Sequence, residues 1–183
     1  MTPLLDIEKY KQSFKEASYD EHNEESLITD ERKEVYIFDD IAKAIAESFE
    51  MDTPSSCDSV VLRGEEIYMI EFKNRDYEKI NTKDRRDIRK KAYQSRELLL
   101  STFLVDKTLQ YVSEHVQLLV VFKTIDNKAK SYDDIVESMK RLAKEERPVI
   151  RCKLGEFEGT FYKKVRTISK ANFEENYMPK IFA

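Results

Sequence analysis

The chain is predicted to fold as an α/β domain with a mixed central β-sheet flanked by helices. Three observations carry that expectation. The stretch SCDSVVLRGEEIYMIEFKN (56–74) has alternating side chains around a Gly64-Glu65 pair, the pattern of a tight hairpin closed by a two-residue turn. HVQLLVVFK (115–123) is almost continuously apolar, as a strand buried on both faces should be. Around these strands lie segments whose apolar residues recur at helical spacing, so the order reads helix, hairpin, helix, strand, helix, strands.

The elements follow from the residues in order. LLDIEKYKQSF (4–14) reads as a short helix packed through Leu4, Ile7 and Phe14, and the acidic ASYDEHNEES (17–26) as a loop. Thr29 is suited to cap a helix over 29–50 whose stripe is Phe38, Ile41, Ile45 and Phe49. At ~100° per residue, Glu31 and Glu34 fall on the side of that stripe, whereas Asp40 and Glu47 point away. Pro54 ends this segment before the hairpin begins. A second helix over 81–103 turns Ile88, Ala92, Ser95, Leu99 and Phe103 inward and carries basic residues on its flanks. The strand over 116–123 comes next. A third helix over 131–146 has the stripe Ile135, Met139 and Leu142 and stops before Pro148. VIRCKLG and GTFYKKVRTI then read as alternating runs joined over 155–159, and Phe173, Tyr177 and Phe182 as a closing patch.

Composition narrows the function classes. A chain of 183 residues suits one domain, divided here into an N-terminal helical and acidic extension (1–28), a motif-bearing core (29–123) and a C-terminal helix with strands (124–183). No stretch approaches the roughly 20 apolar residues of a membrane span, and MTPLLDIEKYKQ lacks the form of a signal peptide, so no membrane partner and a cytoplasmic location are expected. Cys57 and Cys152 stand far apart without zinc-ligand spacing and read as buried thiols. Three glycines, none in a Walker A or G-x-G-x-x-G pattern, argue against a phosphate-cradling loop. The net charge of -4 conceals an acidic N-terminal third and a basic stretch from Lys79 to Arg96, so a nucleic-acid partner is compatible with it.

The hairpin carries the chemistry. With a Gly64-Glu65 turn, Leu62 faces Ile67, Val60 faces Met69, and Asp58 faces Glu71; Lys73 shares their side of the sheet. Opposed like charges destabilise a sheet, so a cation is expected between Asp58 and Glu71. Mg²⁺ or Mn²⁺ fits, since Mg²⁺ binds through one or two carboxylates and leaves positions for substrate phosphate. Lys73 would stabilise developing negative charge and favour deprotonation of the attacking water. The same pattern has a plainer reading, a solvated end of the hairpin with a surface Glu71–Lys73 pair. The apolar Val60, Leu62, Ile67 and Met69 favour a covered face instead.

Asp58, twelve intervening residues and then Glu71-Phe72-Lys73 resemble the D-x(n)-E-x-K signature of the PD-(D/E)XK nuclease superfamily, over roughly 29–123. The resemblance implies a restriction-endonuclease-like core and metal-dependent hydrolysis of phosphodiesters. It implies that Asp58, Glu71 and the backbone carbonyl of Phe72 bind the metal and that Lys73 orients or activates water. Many members add a glutamate from the first helix, for which Glu34 stands first and Glu31 second, beside the reading of both as surface residues. Several place a Lys or Gln on the following helix, where Lys91 and Gln94 are the candidates. Cys57, rather than proline, precedes Asp58.

Lys83, Arg85, Arg86, Arg89, Lys90, Lys91 and Arg96 make a basic helix, and Arg85, Arg89, Lys90 and Lys91 are the candidate nucleic-acid contacts, of the kind that hold phosphate without reading sequence. The alternative is an ordinary solvated face. Aromatic residues are not interleaved with the basic ones, which gives little support for a stacking platform. DNA stands ahead of RNA only through the family resemblance. With no appended reading module, an enzyme of this kind recognises structure or ends, forms a homodimer, or is targeted by a partner. The rival functions are a catalytically inactive nuclease-fold module that binds nucleic acid or protein and an unrelated interaction protein.

Overall fold

The computed structural model describes residues 6–125 and 150–183. The helix expected over 131–146 lies outside them. The chain is α/β, with a six-stranded mixed sheet in the order β1-β4-β5-β6-β7-β8. The strands are β1 (Lys11–Ser13), β4 (Glu34–Ile37), β5 (Ser59–Arg63), β6 (Glu66–Lys73), β7 (Val116–Phe122) and β8 (Lys164–Ser169). A separate hairpin pairs β2 (Tyr19–Asp20) with β3 (Glu25–Ser26). The helices are α1 (Phe14–Ala17), α2 (Phe38–Ser48), α3 (Thr82–Thr102) and α4 (Leu109–His115), and a C-terminal helical segment runs through Lys170–Asn172, Phe173–Tyr177 and Met178–Ile181. β1, β4, β5 and β6 are antiparallel in turn, while β6–β7 and β7–β8 are parallel.

The hairpin register is the expected one: Val60 pairs with Met69, Leu62 with Ile67, and Arg63 with Glu66 around the turn. Gly64 has φ +56°, the left-handed conformation that primed two-residue turns require and that glycine adopts without a Cβ penalty. Alternation then divides β6 between two cores. Ile67 and Met69 face the layer of α2, α3 and α4, with Ile41, Ile88, Leu99 and Val112; Tyr68, Ile70 and Phe72 face Phe14, Ile28, Phe173 and Ile181. β7 is covered on both sides, with Leu118, Leu119, Val120, Val121 and Phe122 all at 0% exposure, and each such side chain contributes about 1.5–3 kcal/mol by burial.

Five expectations are corrected. The helix foreseen over 29–50 begins only at Phe38, because Val35, Tyr36 and Ile37 form a strand: Val35 and Ile37 enter one core and Tyr36 the other, a period of two that a helix cannot satisfy. Phe49, past the end of α2, is 57% exposed rather than part of the buried stripe. The segment Ile7–Tyr10 is a 3-10 turn leading into β1, not the start of a longer helix, and the supposed loop over 17–26 holds the β2–β3 hairpin. VIRCKLG forms no strand: Cys152 and Lys153 have φ of +59° and +57°, and Leu154–Phe157 is a 3-10 turn.

The second helix is close to its expected bounds. Asn81 caps α3 reciprocally with Asp84, and Ile88, Ala92, Ser95 and Leu99 are buried beneath it. Both cysteines are buried thiols, as expected. No helix among the described residues is long and apolar enough to cross a membrane.

Candidate functional site

Asp58 lies in the bend just before β5 and is held from several elements. Its main-chain carbonyl accepts from the first-turn amide of α2, Phe38 N–H, at 2.9 Å, and its Oδ2 accepts from Phe72 N–H on β6 at 2.5 Å. The chain leading to it is tied down by α3: the Gln94 side-chain carbonyl accepts from Ser55 N–H at 2.8 Å, and Ser95 Oγ accepts from Cys57 N–H at 2.7 Å. Gln94 therefore acts here on the loop that delivers Asp58. In a strand the N–H and C=O of one residue leave on the same side, so the carbonyl of Phe72 also faces the Asp58 edge. That is the direction a ligand role for it requires.

Glu71 and Lys73 follow Met69 on the face of β6 turned towards α3. Glu71 is 1% exposed, and a carboxylate so deep needs partners. Lys73 Nζ stands 2.6 Å from its Oε1, an ion-pair contact that is not aligned as a hydrogen bond. Lys91 donates to Glu71 Oε2 at 3.0 Å and to Asp58 Oδ1 at 3.1 Å. The ammonium of Lys91 thus occupies the bridging place between the two acids in which a cation was expected. It enters the site from the inward side of α3, in advance of any phosphate role.

Asp39, in the first turn of α2, is the acid that the first helix contributes. Its carboxylate accepts a hydrogen bond from the buried Ser56 hydroxyl, and it lies near enough to Lys91 and Glu71 for both charges to act on it. Glu34, the residue first nominated for this place, is exposed on β4 opposite Ser13, and Glu31 is exposed and paired with Lys15 at 2.5 Å. The shifted helix start moved the acid: an element beginning at Phe38 presents Asp39, not Glu34, to the site. The adjacent Asp39-Asp40 pair, placed where first-turn acids are favoured by the helix dipole, was the signal that could have found it.

The electrostatics are those of a crowded, largely buried cluster. Burial pushes the Asp58 carboxyl up to about 7, with the neighbouring Glu71 charge adding to it and Lys91 opposing it. Burial acts the same way on Glu71, but Lys73 and Lys91 together outweigh it and hold its carboxyl below the usual range. Asp39 is raised, chiefly by burial. The Glu71 charge raises Lys73, while for Lys91 the desolvation penalty is overcome by Glu71, Asp58 and Asp39. Three carboxyl groups meet two ammonium groups, so full ionisation leaves one negative charge uncompensated.

Whether these residues fit a divalent ion turns on the donor set. Asp58 Oδ1 and Glu71 Oε2 converge on a single positive centre, and two carboxylates suffice for Mg²⁺ when water and phosphate supply the rest. Among the described residues no group of three His, Cys, Asp or Glu side chains is arranged around an ion position. The fit is therefore to a two-carboxylate site shared with a substrate, not to an all-protein cage.

A cleft of about 680 Å³ opens beside Asp58 and Lys73. Its walls are the β2–β3 hairpin, through Tyr19, Asp20, Glu21 and His22, and the end of β6 with the start of α3, through Asn74, Arg75 and Asp84. Glu25 on β3 accepts from Asn74 Nδ2 at 3.0 Å and from Lys123 Nζ at 2.7 Å, which fastens the hairpin beside the site. The nominated basic residues do not form one face. At ~100° per residue, Arg85 and Arg89 share one flank of α3, Lys90 points away from the sheet, and Lys91 lies on the opposite flank, beside the inward stripe. Arg85 stacks over Tyr77 with its guanidinium 5.5 Å from the ring centroid, and Lys90 is exposed.

No family model, curated protein or solved structure matches this chain.

Proposed function

We propose that the chain is a metal-dependent nuclease, hydrolysing phosphodiester bonds of nucleic acid, with DNA as the first substrate to try. The observation that carries the reading is the convergence of Asp58 Oδ1 and Glu71 Oε2 on one cation at 3.1 and 3.0 Å, with Lys73 2.6 Å from the other Glu71 oxygen and facing the cleft. It supports the reading because the D-x(n)-E-x-K pattern calls for two carboxylates on one cation with a lysine beside them. Asp58 and Glu71, with the Phe72 carbonyl, would hold Mg²⁺ or Mn²⁺, and Asp39 adds negative charge behind them. Bound there, the ion would supply Lewis acidity to a phosphoryl oxygen and acidify water. Lys73, at the cleft wall, orients the attacking water and stabilises charge that develops on the phosphate. Glu71 keeps Lys73 protonated and aimed. Lys91 holds the two acids together and would have to withdraw or share them as a second cation enters.

That last point favours one rival specifically. A site whose two acids already share the Lys91 ammonium also suits a nuclease-fold module that binds without cutting. Incubating plasmid, linear duplex and single-stranded DNA with Mg²⁺ or Mn²⁺, beside Lys73→Ala and Asp58→Asn, separates the two. Cleavage by the parent chain that both substitutions abolish supports the enzyme. Binding that is indifferent to metal and yields no cleavage supports the module.

A further inference from the structure

We infer that the β2–β3 hairpin makes the cleft a single-strand entrance and that Tyr19 on it stacks a base of the strand that enters. The inference rests on the nuclease reading for the identity of the ligand, but Tyr19 itself is not among the residues that would hold the metal. Tyr19 is 53% exposed, lines the same cleft as Asp58 and Lys73, and its ring packs on no other ring among the described residues. A large aromatic face open to solvent beside a candidate phosphodiester site is what base stacking needs, and such stacking tolerates any sequence because every base has a π-face.

The wall that carries Tyr19 is preformed. Its base is pinned by Leu27 N–H donating to the Ser18 carbonyl at 3.0 Å and by Ile28 N–H donating to Ser18 Oγ at 2.8 Å. Its tip is shaped by Asp20 Oδ1 accepting from His22 N–H at 2.9 Å, and its far strand is fastened through Glu25 to Asn74 and Lys123. The half-open cleft of about 680 Å³ is on the scale of a small-ligand pocket, which matches a nucleotide-sized unit. Charge points the same way. Asp20, Glu21 and Asp84 line the cleft, while Lys73 and Arg75 are its cations. A duplex carries one phosphate charge per ~1.7 Å of axis, twice the density of one strand, so an acidic rim opposes it more strongly. A single strand can lead one phosphate to Lys73 and set its base on Tyr19.

Two measurements test this on the full chain. Cleavage with Mg²⁺ or Mn²⁺ is compared for a single strand, a blunt duplex and a duplex bearing an unpaired overhang, using the parent chain, Tyr19→Ala and Tyr19→Phe. Separately, a trinucleotide carrying 2-aminopurine is titrated in Ca²⁺, where loss of fluorescence reports stacking. The expected result is preference for the single strand and overhang, fluorescence quenching, and a KM raised about 5- to 100-fold by Tyr19→Ala with kcat little changed and Tyr19→Phe near the parent. Cleavage in which a blunt duplex is cut as readily as a strand, or in which Tyr19→Ala leaves KM and quenching unmoved, overturns the inference and leaves the nuclease reading standing. Quenching that depends on Tyr19 in a chain that cuts no substrate upholds the stacking site and overturns the nuclease reading instead.

Discussion

Replacing Lys91 by methionine removes the ammonium between Asp58 and Glu71 while keeping most of the side-chain volume. Each contact, at 3.0 and 3.1 Å, is worth about 5 kcal/mol at an effective dielectric of ~20, before the desolvation of the ammonium is subtracted. Breaking a buried pair by removing one partner typically leaves a net loss of about 3–5 kcal/mol. The loss should depend on pH. Near pH 8 both acids are ionised and both lose their counter-ion; near pH 5.5 the Asp58 carboxyl, raised to about 7, already carries a proton and only Glu71 loses a partner. Urea denaturation at the two pH values, with and without Mg²⁺, is the assay. The expected outcome is a larger loss at the higher pH and a larger recovery on adding Mg²⁺ than the parent chain shows. Equal losses at both pH values, with no response to the ion, would refute the assignment of Lys91 as the resident counter-ion.

Cation binding itself should release a proton. With the Asp58 carboxyl at about 7, apparent Mg²⁺ or Mn²⁺ affinity should fall about tenfold per pH unit below 7 and level off above it. Calorimetry in buffers of different ionisation enthalpy reads that proton directly, and its absence near pH 6 counts against the assignment. In the metal-free chain the sign for stability is opposite: the folded form keeps a proton that the unfolded form has released, so this group's contribution declines as pH rises between 3.8 and about 7. Ser95→Ala leaves the Cys57 N–H buried without its acceptor and should cost about 1–3 kcal/mol in urea unfolding, with metal affinity reduced as well because Asp58 loses its anchor. Leu119→Ala, at 0% exposure on the opposite face of the sheet, should cost about 2–5 kcal/mol yet leave the metal affinity of the folded chain unchanged.

The parts of the site that were legible in the sequence are those set by local rules. A two-residue turn with glycine at its first position, flanked by alternating side chains, leaves one register for the hairpin, and Asp58, Glu71 and Lys73 follow from it. α3 was legible because Asn81 and Asp84 form a reciprocal cap and a long inward stripe follows. β4 was not, because Thr29, Asp30 and Glu31 imitate a helix start, and the decision in favour of a strand is made by β1 and β5 on either side of it. That error carried Asp39 with it, since helical phase is only as good as the first residue. Lys91 was nominated through the family resemblance as a site lysine on the following helix, and as a phosphate contact, but its bridge between the two acids was not legible, because they lie 33 and 20 residues away and the contact exists only after α3 docks. The β2–β3 hairpin, with two residues in each strand, is too short to show alternation at all.

The same helix that supplies the bridging ammonium also grips the main chain at Ser55 and Cys57. Delivery of Asp58 and neutralisation of its charge are thereby a single event, the seating of α3 on the sheet. A folding intermediate in which α3 is still loose would have neither a placed carboxylate nor a protected one. The position of this acid and the compensation of its charge therefore come and go together with the docking of α3.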